Sequence, residues 1–116
     1  MKNPVSKLIA AVLFAVLFTA QSAFAHPPSK IEAEVKGETL TVTVMHNVKN
    51  PLNHYIKEIV VKLNDKEVVD KKETRQVDNE KQIGVFEIPG LKSGDNLSIK
   101  ATCNRYGSKT LKMTVK

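Results

Sequence analysis

The residues of this chain best suited to chemistry are few, and they stand at particular places. Its three histidines are His26, His46 and His54, and its single cysteine is Cys103. His46 and His54 bracket a short polar loop containing Pro51, and each of the four residues lies where an alternating segment begins or ends. Three imidazoles and a thiolate form a donor set suited to Fe(II), Cu or Zn. Binding requires neutral imidazoles and an ionised thiol, so it would release protons and strengthen as pH rises. A loop histidine taken alone is more often solvated than ligating, and a cysteine on an apolar face is often a small buried hydrophobe. The case for a metal rests on the coincidence of all four at strand boundaries.

The elements that must position these donors are strands. The sequence between 29 and 36 alternates Ile31, Ala33 and Val35 against charges, and Gly37-Glu38 reads as a turn. Residues 39–45 set Leu40, Val42 and Val44 on one face and three threonines on the other. Residues 55–63 place Ile59, Val61 and Leu63 on one face with Ile56 and Val60 opposite, which predicts a strand buried on both sides. Asn64-Asp65 is a turn signal, and the more polar run 67–77 predicts one or two edge strands. Further strands are expected over 82–88, 96–103 and 109–116. About seven short antiparallel strands with turns at this spacing predict an all-β, Ig-like sandwich, whose loops gather at two ends. That architecture allows His54 and Cys103 to share an end with His26 and His46.

The first 25 residues are expected to be a secretory signal. Lys2 and Lys7 precede an apolar run from Leu8 to Phe18, and Ala23-Phe24-Ala25 offers the small residues of a cleavage site. The run is short for a membrane span. The expected product is one domain, residues 26–116, exported to the periplasm or beyond, with His26 first and no membrane association after processing. Exported domains of this size often rely on disulfides, and one cysteine cannot form an internal one. The formal charge is +6, falling to +4 without Lys2 and Lys7. The lysines alternate with apolar residues along strands and form no basic stripe, so a nucleic-acid partner is not expected. No GxSxG, HExxH or phosphate-cradling glycine loop occurs, which argues against a hydrolase.

Over residues 26–116 the sequence resembles the iron-binding domain of superoxide reductase and desulfoferrodoxin. The resemblance lies in His26 followed by Pro27, Pro28 and Ile31-Glu32, and in His46, 20 residues further on. It continues in "NHYIKEI" (Asn53 to Ile59), which supplies His54, and in "TCNRYG" (Thr102 to Gly107), which supplies Cys103. It implies a seven-stranded Ig-like sandwich in which histidines surround an iron that cycles between Fe2+ and Fe3+, with the cysteine thiolate along the axis. It implies superoxide as a small anionic substrate, an electron donor, and a loop lysine that attracts the substrate, here Lys49. The family motif reads CNxHG, so Tyr106 stands in place of a fourth histidine and would be a further donor only as a phenolate, as tyrosine is to haem iron in catalase. No carboxylate lies between Asn47 and Asn53 to cap the open position, and Pro51 is displaced from its family place after His46.

An alternative follows from the expected cleavage. If His26 is the first residue, its α-amine and ring nitrogen could chelate one ion, as in the histidine brace of exported copper-binding sandwiches. The chain would then be a copper carrier without turnover.

Overall fold

The computed structural model describes residues 26–116; the expected signal segment lies outside the described residues. Seven strands follow one another in the chain: β1 (Lys30–Lys36), β2 (Thr39–Met45), β3 (Ile56–Leu63), β4 (Lys66–Lys72), β5 (Lys81–Glu87), β6 (Asn96–Cys103) and β7 (Ser108–Thr114). They form a three-stranded sheet in the order β1-β2-β5 and a four-stranded sheet in the order β4-β3-β6-β7, with every pairing antiparallel. This is the expected all-β sandwich.

Period-two patterning decides which faces meet. Leu40, Val42 and Val44 of β2 are fully buried, while the threonines between them face outward. Against them pack Ile56, Ile59 and Val61 of β3 and Leu97, Ile99 and Ala101 of β6. Burying each large aliphatic side chain contributes roughly 1.5–3 kcal/mol. The β3–β4 hairpin turns at Asn64 and Asp65, both with positive φ (49° and 70°), the conformation a two-residue primed turn requires.

β3 differs from the expectation of a strand buried on both sides. The pairing with β6 shifts between Ile56 and Glu58, so that Ile56 opposes Cys103 while Glu58 opposes Thr102. The extra residue, Lys57, makes a bulge. A bulge resets the alternation, so Ile56 joins Ile59 and Val61 on the inner face and Val60 is left half-buried outside. The polar run 67–77 supplies one edge strand, β4, as expected of one or two. Strand pairing stops at Lys72, and residues 73–80 form a loop that crosses to one end of the sandwich, where the Gln76 N–H donates to the Pro51 carbonyl (3.0 Å).

Candidate metal centre

Each candidate donor sits at the boundary of a strand, fixed by backbone bonds. His46 follows the last residue of β2, and its N–H donates to the Glu80 carbonyl at 2.8 Å. His54 closes a tight turn built on Asn50, whose side-chain Oδ1 accepts the Leu52 N–H (3.0 Å) and whose carbonyl accepts the N–H groups of Asn53 (3.2 Å) and His54 (3.0 Å). Cys103 ends β6, and its N–H donates to the Gly107 carbonyl (3.0 Å). Asn104 locks these two segments together. Its Oδ1 accepts the Tyr55 N–H (2.9 Å), its Nδ2 donates to the Asn53 carbonyl (3.1 Å), and its own N–H donates to the Tyr55 carbonyl (2.9 Å).

His26 reaches the same end from the chain preceding β1. Ser29 N–H donates to the Met45 carbonyl (2.8 Å), which starts that segment along β2. Gly107 then gives it room. A Cβ there would lie 2.8 Å from Pro27 Cβ, and the φ of +80° is one that residues with a Cβ rarely adopt.

The three imidazoles converge. Ring centroids are 4.8 Å apart for His46 and His54, 5.1 Å for His26 and His46, and 5.5 Å for His26 and His54. One donor atom each from His46, His54 and Cys103 lies within 4.8 Å of the other two, and all three residues are buried. The Nε2 atoms of His46 and His54 are buried with no hydrogen-bond partner among the described residues. Leaving such a group unsatisfied costs about 1–3 kcal/mol. Two bare imidazole nitrogens beside a buried thiol are what an N/S-coordinated cation needs, so these side chains fit a mononuclear metal. Burial first, then the charges of His46, Arg105 and His26, lower the His54 pKa below the ordinary histidine value. That shift favours the neutral imidazole, the form that can ligate. The Arg105 backbone N–H donates to Cys103 Sγ (3.3 Å).

Two residues important to this end of the molecule are not signalled by the sequence. Gln76, 3% exposed, sends its side-chain Oε1 to His46 Nδ1 at 2.8 Å. Nothing in the sequence marks it, since it is one glutamine in a polar run. Arg105 lies in the Cys-Asn-Arg-Tyr-Gly turn, held by the Asn53 carbonyl (Nε, 3.4 Å) and Asn53 Oδ1 (Nη2, 3.3 Å). It lines a solvent-open depression of about 590 Å³ together with Lys49, His26, His54, Asn47 and Asn53. No carboxylate lines this depression, and neither Lys49 nor Arg105 forms an ion pair among the described residues. Lys49 thus lines the same depression as His26 and His54.

Tyr106 occupies a different position. It is 59% exposed on the β6–β7 turn, in contrast to the buried His46, His54 and Cys103. Nδ1 of His26 lies 3.2 Å from the Pro27 carbonyl oxygen.

The two-sheet Ig-like sandwich thus gathers three imidazoles and a thiol at one pole, a donor set that could hold a metal ion. Among solved structures, the fold is that of superoxide reductase. The chain matches a superoxide reductase (1Fe-SOR) from Giardia intestinalis with a TM-score of 0.59 at 17% identity, covering 78% of this chain and 100% of that one. Two forms of a superoxide reductase (neelaredoxin) from Ignicoccus hospitalis match with TM-scores of 0.52 and 0.51 at 20% and 19% identity. They cover 78% and 85% of this chain and 79% and 86% of theirs. No family model and no curated protein matches the sequence, so the likeness is one of fold.

Proposed function

We propose that this protein is an exported mononuclear iron protein that reduces superoxide. His46, His54 and Cys103 hold the iron, and His26 adds a third imidazole. The observation that carries this reading is a pair of buried histidines with unpartnered Nε2 atoms, clustered with a buried cysteine in the superoxide reductase fold. Bound iron would supply one electron to the superoxide anion, which takes up two protons to leave as hydrogen peroxide, with an external donor restoring the ferrous state.

The chain's own residues attract and admit the anion. Lys49 and Arg105 give the depression beside His54 a positive field without an opposing carboxylate, and such a field raises the local concentration and on-rate of an anion. Lys49 also offers an ammonium proton close to the site. Cys103, buried and accepting the Arg105 N–H, would be the sulfur ligand, and a thiolate there would donate electron density to a bound iron.

The test is elemental analysis of protein purified from its own exported compartment, followed by spectroscopy and superoxide consumption. Iron at one equivalent, a visible thiolate-to-iron charge-transfer band in the ferric form, and loss of that band in Cys103→Ser are the expected results. Copper at one equivalent, or a band that survives Cys103→Ser, would refute it.

A further inference from the structure

We infer that Gln76 fixes the tautomer of His46 and so presets the metal centre before any ion arrives. A side-chain amide has an accepting end and a donating end, and its partners decide which way it lies. Here the partners leave one choice. The oxygen end faces the Ile56 backbone N–H at 3.2 Å, which can only donate. The nitrogen end faces the carbonyls of His46 (2.9 Å) and Asp78 (3.1 Å), which can only accept. Reversing the amide would set N–H against N–H and oxygen against two carbonyls.

With Oε1 fixed as an acceptor, the proton of the 2.8 Å contact must reside on His46 Nδ1. A neutral imidazole carries one N–H. His46 Nε2 is therefore a bare lone pair, and it is the buried atom without a partner next to His54 and Cys103. A free histidine side chain favours the opposite tautomer. Gln76 reverses that preference and does so from a loop that touches both histidine segments, since its own N–H donates to Pro51 between them. It is a positioning residue, and as a neutral amide it orients His46 without placing a carboxylate charge behind it.

The tautomer assignment stands on the hydrogen bonds alone, whereas its effect on affinity rests on the metal-centre reading above. The test uses metal-free protein at about pH 8, above the ordinary histidine pKa, with long-range proton–nitrogen NMR reading both ring nitrogens of His46. Wild type is expected to show N–H at Nδ1 and a bare Nε2. Gln76→Glu keeps an oxygen opposite Nδ1 but loses both donated bonds. It should be less stable, keep the tautomer, and bind Zn(II) within about threefold of wild type. Gln76→Met keeps bulk without a comparable acceptor, so the tautomer should become mixed and Zn(II) affinity should fall roughly 10–100-fold, the range for lost outer partners of ligating histidines. A wild-type proton on Nε2 would overturn the inference. So would a Gln76→Met protein that loses affinity with its tautomer unchanged. If Gln76→Met does not fold, the wild-type and Gln76→Glu spectra decide. Wild type that binds no metal but shows the Nδ1–H tautomer would defeat the proposed function and leave this assignment intact.

Discussion

His46→Leu should leave the metal-free protein about as stable as wild type, or more so, while abolishing its stabilisation by metal. His46 is fully buried, and its Nε2 is unsatisfied without an ion, a burden of about 1–3 kcal/mol. Leucine fills comparable space between the rings of His26 and His54 and removes that burden. The opposing loss is one hydrogen bond to Gln76, about 0.5–1.5 kcal/mol. Gln76 Oε1 is not orphaned, because it still accepts the Ile56 N–H. The net change should lie between roughly −0.5 and +2.5 kcal/mol, counted in favour of the variant. In a domain of this size about 1 kcal/mol moves the melting temperature by roughly 4–8 °C. The assay is paired thermal and urea denaturation in a strong chelator, repeated with ferrous iron under anaerobic conditions. A metal-free His46→Leu protein destabilised by more than about 2 kcal/mol would show that Nε2 is satisfied in the apo fold, and the argument for a poised metal site would fail with it.

Four further outcomes are expected. Ferrous iron at a hundredfold its Kd should raise wild-type stability by about 2.7 kcal/mol, and a chelator should return the melting temperature to the apo value. Gly107→Ala should cost about 1–3 kcal/mol, because its φ is +80° and its Cβ would press on Pro27, and metal affinity should fall as the His26 segment is displaced. Lys49→Ala and Arg105→Ala should each slow superoxide consumption by about two- to tenfold at low salt and flatten its salt dependence, measured by pulse radiolysis. Asp95 accepts hydrogen bonds from Asn64 Nδ2, the Lys92 backbone N–H and Lys92 Nζ, with the Asn64 bond the largest cause of its lowered pKa. A carboxyl depressed on folding stabilises fully above its unfolded pKa and loses that contribution as pH falls through the folded one. The stability gap between wild type and Asp95→Asn should therefore be constant near neutrality and close below about pH 4, which acid titrations of the urea midpoint will show.

Most strand boundaries, and the position of His46 and Cys103 at two of them, could be read from the sequence because strict alternation is a local property. Leu40, Val42 and Val44 end at His46, and Leu97, Ile99 and Ala101 end at Cys103, so the chain announces where each inner face stops. The β3 bulge could not be read this way. Lys57 is an ordinary exposed lysine, and the reason for an extra residue there lies in how β3 meets β6. The roles of Gln76 and Arg105 were hidden for a related reason. Gln76 acts 30 residues from His46, through a loop whose path depends on β4 ending early, and the grip of Asn53 on Arg105 needs the two turns to be neighbours in space. The substitution of tyrosine in the Cys-Asn-Arg-Tyr-Gly turn was visible, but its outward direction was not.

His46 leaves the three-stranded sheet, whereas His54 and Cys103 belong to the four-stranded one. A cation gripped by all three is a clasp between the two layers, fastened at one pole only. Its departure would slacken that rim while the far pole kept its hydrophobic seal. Deuterium uptake on metal removal should then rise at the Glu80 and Asn50 ends of the loops and stay constant at the Gly37 hairpin, so that the sandwich itself reports whether its ion is aboard.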